Sequence, residues 1–131
     1  MKTEFFMPMI PPTCTHQEHQ VAVIKGKPHF YEPAELKAAR SMLEAHLAPY
    51  APKEKYAGAL RVVVKWLFPI KGTHVDGEWK TSPPDTHNLD KLLFDVMTGL
   101  CFWKDDALVA SEIIEKFWAD KPGIYICITE I

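Results

Sequence analysis

The sequence predicts an α+β fold: one small domain over residues 1–131, built as a mixed β-sheet with two helices packed on it. Three observations lead there. The order of apolar patterns is strand, hairpin, helix, strand, helix, strand, strand, which layers helices on a sheet. The length, 131 residues and 15.0 kDa, suffices for one hydrophobic core and is too short for two. Apolar residues at 47% and charged residues at 24% match an ordinary globular chain and exclude wholesale disorder.

Each element has its own warrant. Lys2 to Ile10 is β-rich and stops at Pro11-Pro12, so it opens the fold as a strand. Val21–Ile24 and Pro28–Tyr31 flank Lys25-Gly26-Lys27, a hairpin with Gly26 in its turn. From Glu32 the period lengthens: Pro33 suits a first helical position, and Leu36, Ala39, Met42 or Leu43, and Leu47 recur at helical spacing. Pro49 and Pro52 end that helix. Ala59 to Phe68 is the strongest strand, and its apolar density predicts a central strand covered on both faces. Residues 70–84, with Gly72, Gly77, Pro83 and Pro84, read as a loop. A second helix spans Thr86 to Leu100, with Leu89, Leu92, Leu93 and Val96 on its apolar side. Strands at Ala107–Phe117 and Gly123–Thr129 close the chain around the turn Asp120-Lys121-Pro122-Gly123.

Several function classes are excluded at this level. No apolar run approaches the roughly 18 residues of a membrane span, and the N-terminus lacks the apolar core of a signal peptide. Three widely spaced cysteines argue against a disulfide framework and for a reducing cytoplasm. The net charge of −2 hides an asymmetry. Residues 25–80 carry ten Lys/Arg against six Asp/Glu, whereas residues 81–131 carry four against nine. That pattern suits a basic surface for an anion beside a carboxylate cluster for a cation, and also suits plain scatter on a solvated surface. Cys14, His16 and His19 have a spacing open to Zn²⁺, but no fourth ligand is evident and a polar loop explains them. Of the four tryptophans, Trp66, Trp79, Trp103 and Trp118, most are expected in packing, with base stacking open to one.

The chemistry concentrates at the second helix. Asn88, Lys91 and Asp95 fall within about 60° of one another, opposite the apolar stripe. Asp85 stands just before the helix, where it can cap it or offer an oxygen ligand. Asp105 and Asp106 follow the helix as adjacent carboxylates, which repel unless solvated or neutralised by a cation. Taken singly, each has a plain reading: an N-cap for Asp85, an i, i+4 pair for Lys91 and Asp95, a turn for Asp105-Asp106, a surface side chain for His87.

The whole string changes that balance. Pro84-Asp85-Thr86-His87-Asn88-Leu89-Asp90-Lys91, then Phe94-Asp95, then Gly99 through Val109 with Trp103-Lys104-Asp105-Asp106, closely resembles the RusA family of Holliday junction resolvases. The likeness extends to Pro11-Pro12 and to Glu115-Lys116, and so covers most of the chain. It implies a RusA-like fold and a small homodimer, of the kind common in bacteria and prophages, that cuts four-way DNA junctions with Mg²⁺ or Mn²⁺. Carried over by position, Asp85 and Asp106 become metal-binding carboxylates and Lys91 an essential base or phosphate contact, with Asn88 and Asp105 in support. His87 stands where the family pattern has a second helix aspartate; as a metal ligand it would suit Mn²⁺ better than Mg²⁺. Asp90 projects from another helix face and is not taken as its substitute. Lys37, Arg40, Lys53, Lys55, Arg61, Lys65, Lys71 and Lys80 are the expected phosphate contacts for branched DNA, with no membrane partner. The rival readings are a branched-DNA-binding module that does not cut, its metal site degenerate at His87, and a small protein–protein adaptor.

Overall fold

The computed structural model describes residues 1–14, 20–24 and 26–131. Its strands are β1 (Lys2–Pro8), β2 (Gln20–Ile24), β3 (Lys27–Tyr31), β4 (Leu60–Pro69), β5 (Val109–Ala119) and β6 (Gly123–Glu130). Two helices, α1 (Ala34–Leu47) and α2 (Thr86–Gly99), lie between them in the chain, with short 3-10 turns at Ala48–Tyr50 and Asp106–Leu108. The hairpin β2–β3 stands as its own two-stranded sheet, turned at Gly26, whose φ of +77° suits glycine. The His16 and His19 positions of the zinc reading lie outside the described residues; Cys14 itself donates its thiol to Glu35 at 3.4 Å.

The main sheet has the order β1-β6-β4-β5. β6 runs antiparallel to both β1 and β4, while β4 and β5 are parallel. A parallel pair needs a crossover, and the connection carrying α2 provides it. The sheet is therefore mixed and carries its helices, the predicted α+β architecture. No described helix is long and apolar enough to cross a membrane.

Cross-strand rows explain the core. Met7, Ile124 and Trp66 form one row and Phe5, Ile126 and Val64 the next, all buried. They meet Leu36, Leu43 and Leu47 of α1 and Leu89, Leu92 and Leu93 of α2, each wholly buried. At about 25 cal/mol per Å² of apolar surface, this layer supplies the main drive to fold. Gly123 opens β6 where β1 passes very close. A Cβ there would lie 2.3 Å from Phe6 Cζ and 2.5 Å from the Met7 carbonyl oxygen.

The expectation that β4 is covered on both faces is corrected. Val62, Val64 and Trp66 are buried, but Val63, Lys65 and Leu67, on the face away from the helices, are only half-buried. Helices pack on one face, so strict alternation governs the strand despite its apolar density. Boundaries shift elsewhere. β1 ends at Pro8 rather than Ile10, and β5 begins at Val109 because Asp106–Leu108 curl into a 3-10 turn.

The predicted loop 70–84 also gains order. Gly77 N–H donates to Trp118 O at 2.8 Å, Trp118 N–H to Glu78 O at 2.8 Å, and Lys80 N–H to Lys116 O at 3.1 Å. Residues 77–80 thereby line the free edge of β5, with Trp79 opposite Phe117.

Candidate active site

Helix α2 presents the chemical residues because its other side is committed to the core. Leu89, Leu92 and Leu93 are buried, while His87 and Lys91 are exposed and Asn88 and Asp95 half-buried. Lys91 Nζ lies 3.7 Å from Asp95 Oδ1, the predicted i, i+4 pair. Asp85 occupies the N-cap position with extended backbone, φ −74° and ψ 146°, but its side chain makes no capping hydrogen bond. The plain N-cap role is thus not what that carboxylate performs. Asp105 does cap, accepting from Ala107 N–H at 2.9 Å, and leaves the half-buried Asp106 as first residue of the 3-10 turn.

The turn leading into α2 is held in an unusual way. The Pro83–Pro84 peptide is cis. Lys80 Nζ donates to Ser82 Oγ at 2.6 Å, Pro83 O at 2.8 Å and Ser82 O at 3.3 Å. Its ammonium also sits 4.5 Å from the Trp118 ring centroid and 5.3 Å from that of Phe68. From β5, Lys116 Nζ donates to Pro84 O at 2.7 Å and Ser82 O at 2.8 Å. Burial lowers the pKa of Lys80, aided by the nearby Lys116 and Lys71 charges. Burial also lowers that of Lys116, against an opposing pull from Asp85.

Farther along, Asp90 is 8% exposed. Burial, together with the charge of Glu112 on β5 and a hydrogen bond to it, lifts the Asp90 pKa from 3.8 to about 7. Asp90 thus faces the sheet and pairs with another acid. Because Asp85 lies near Lys116 and Asp90 near Glu112, α2 runs back along β5.

The expected phosphate contacts divide. Lys37, Lys53, Lys55, Arg61 and Lys71 are exposed. Lys65 is half-buried, 5.6 Å from the Tyr125 ring, and Arg40 forms an ion pair with Glu32 at 2.9 Å. Lys80 departs from the surface placement expected of it: it is buried, and its ammonium serves the chain's own carbonyls. Sequence reasoning missed this inward role, and it missed Lys116 as a neighbour of Asp85. One signal was available. Lys116 has the same strand parity as Ile114 and Trp118, which marks it as facing the helices.

Among the described residues no three His, Cys, Asp or Glu side chains converge closely enough to hold a metal ion, so Asp85, His87 and Asp106 do not make a closed cage. The donor chemistry still suits a hard dication. Mg²⁺ is commonly held by one or two carboxylates together with substrate phosphate and water, and Asp85 is an exposed carboxylate not spent on capping.

Comparison with known proteins finds similarity over almost the whole chain. A family model described as endodeoxyribonuclease RusA matches residues 9–129. A curated relative, the crossover junction endodeoxyribonuclease rusA of Lactococcus phage r1t, is 33% identical over 133 aligned positions that cover all of both chains. The family model over residues 9–129 and the full-length relative together show that the chain belongs to the RusA family of endodeoxyribonucleases.

Proposed function

We propose that the protein is a structure-selective endonuclease that resolves four-way DNA junctions by paired, divalent-metal-dependent phosphodiester hydrolysis, acting in recombination and repair in the cytoplasm. The observation that carries this reading is the family match over residues 9–129 with a full-length relative, in a chain that carries the Asp85–Lys91 and Asp105-Asp106 motifs. Asp85 and Asp106 are the carboxylates to hold a Mg²⁺ or Mn²⁺ ion, with His87 beside them. Such an ion, when bound, stabilises the charge that develops on the phosphate oxygens during in-line attack by water. The exposed Lys91 ammonium donates to a phosphate oxygen, while its partner Asp95 keeps it oriented along the helix. Asn88 offers an amide on the same face, and Asp105 fixes the turn that presents Asp106. Lys37, Lys53, Lys55 and Lys71 supply surface charge for phosphates farther along the arms.

Resolution needs two cuts on opposed strands, which a twofold homodimer provides. The sheet face away from the helices supports such a pairing. Ile113 and Trp79 are exposed there beside half-buried Phe117 and Leu67, with Lys65 and Glu115 in one cross-strand row as self-complementary charges.

The test is cleavage of a synthetic four-way junction with Mg²⁺ and with Mn²⁺, compared with a linear duplex of the same sequence. The expected result is paired nicking of the junction alone. Tight junction binding without cleavage in either metal supports instead a non-cutting binding module, the reading in which His87, standing where the family pattern has an aspartate, leaves the metal site degenerate. Light scattering that gives a monomer while cleavage persists overturns the dimer.

A further inference from the structure

The turn before α2 poses a satisfaction problem. Ser82, Pro83 and Pro84 present consecutive carbonyls, and the two prolines have no N–H with which to bond elsewhere. Two lysine ammoniums from distant positions supply the donors, with four hydrogen bonds to those backbone carbonyls and one to the Ser82 hydroxyl. Hydrogen bonds from an ionised donor are roughly twice as strong as neutral ones. Both ammoniums lose hydration to make them, a cost that an ordinary surface lysine does not bear.

The two lysines are not equivalent. Lys80 lies within the turn and bonds only two or three residues away, sealed by Phe68 and Trp118. Lys116 reaches across 32 residues of sequence from β5 and bonds Pro84 O, the carbonyl joined directly to Asp85. It ties β5 directly to the carbonyl that precedes α2.

We infer that Lys116 is a positioning residue of the nuclease site, fixing the Pro84 carbonyl so that Asp85 starts the helix extended, with its carboxylate turned away from capping. This deepens the nuclease reading and rests on it. The role is indirect: both resolved donations of Lys116 go to backbone oxygens, and it acts through the placement of Asp85.

The experiment compares the full-length parent with Lys116→Met and Lys116→Arg by two independent readouts. One is steady-state cleavage of a four-way junction in Mg²⁺. The other, without DNA or metal, is hydrogen exchange at the Leu89 amide, which donates to Asp85 O at 3.1 Å as the first bond of α2. Lys116→Met is expected to lower kcat at least tenfold with KM within threefold, and to speed Leu89 exchange at least tenfold while Val64 in β4 stays protected. Lys116→Arg, which can donate to both carbonyls, is expected to recover most of kcat and of the protection. Unchanged Leu89 exchange in Lys116→Met overturns the inference. Faster exchange with kcat intact also overturns it, because Lys116 then serves the fold alone. If Lys116→Met does not fold, the arginine variant decides: near-parental kcat and protection support the inference, and a tenfold loss of kcat with Leu89 still protected overturns it in favour of direct contact with DNA. A parent that cuts no junction refutes the nuclease reading and with it the positioning role, and Leu89 exchange then reports only whether Lys116 holds the turn.

Discussion

The two turns that flank α2 carry the two candidate aspartates and are held by opposite means. The approach, Lys80 to Asp85, depends on side-chain ammoniums: lysines from two elements bond carbonyls that lack backbone donors. The departure, Leu100 to Asp106, depends on backbone and aromatic packing. There Phe102 N–H bonds Met97 O at 3.1 Å, Tyr56 N–H bonds Phe102 O at 3.0 Å, and Lys104 N–H bonds Tyr56 O at 2.9 Å. Trp103 closes this side, donating Nε1–H to Thr98 Oγ1 at 2.7 Å and meeting Phe94 edge-on at 5.3 Å. The difference teaches that one aspartate is mounted on a hydrophobic clasp, and the other on a charged one that a single substitution can loosen without emptying the core.

The largest expected effect tests the departure side at its functional end. Asp106→Asn should reduce junction cleavage to background while binding stays the same or tightens, since one repelling charge near the phosphates is gone. Cleavage at the parental rate, with circular dichroism showing a folded variant, would remove Asp106 from the site. Next comes Trp103→Ala, expected to cost about 3–5 kcal/mol in urea unfolding as a buried indole is lost. Lys80→Met should cost less, about 1–3 kcal/mol, by leaving the Pro83 carbonyl and the Ser82 hydroxyl without their ammonium donor. If these two costs prove equal, the contrast between the clasps fails.

His87→Asp sharpens the approach side further. It adds a hard oxygen donor in the first turn of the helix, and the ratio of Mg²⁺- to Mn²⁺-supported cleavage should rise severalfold. Identical metal titrations for parent and variant would place His87 outside the site. The smallest effect belongs to Asp90→Asn, in the middle of α2. The Asp90 pKa in the folded chain, about 7, stands above its ordinary 3.8. The fold therefore holds a proton that the unfolded chain releases, and stability falls as pH rises from about 4 through 7. Replacing Asp90 should raise the Tm by a few degrees at pH 8, leave it nearly unchanged at pH 4, and flatten the slope between. A parallel downward shift at both pH values would show that the side chain matters only for packing.

The same contrast shows what sequence could reveal. The helices were legible because Leu36, Leu43 and Leu47, and Leu89, Leu92 and Leu93, repeat at helical spacing, the strands β4 and β6 because they are dense in β-branched residues, and the mixed sheet from the order in which helices and strands alternate. The Asp85-to-Asp106 string was legible through its resemblance to the RusA pattern, which holds a fixed spacing along one helix and one turn. The roles of Lys80 and Lys116 were not, because a lysine's charge suggests solvent or phosphate and only tertiary placement turns it toward carbonyls. The one-sided cover of β4 was hidden for a related reason: Val63 and Leu67 are apolar wherever they face. The Asp90–Glu112 pair joins residues on different elements, and helical geometry alone reported only that Asp90 leaves the polar stripe.

The position of Trp79 on the rim of the sheet has an optical consequence. Trp66, Trp103 and Trp118 are at most 6% exposed, whereas Trp79 is 58% exposed and stacked on Phe117 at 4.5 Å. Three indoles are therefore shielded from an aqueous quencher such as acrylamide, and the fourth emits to the red of them within its reach. The chain thus carries an intrinsic fluorophore on the face proposed above to pair with a second copy, so that self-association there would read out as a blue shift and lost quenching without any label.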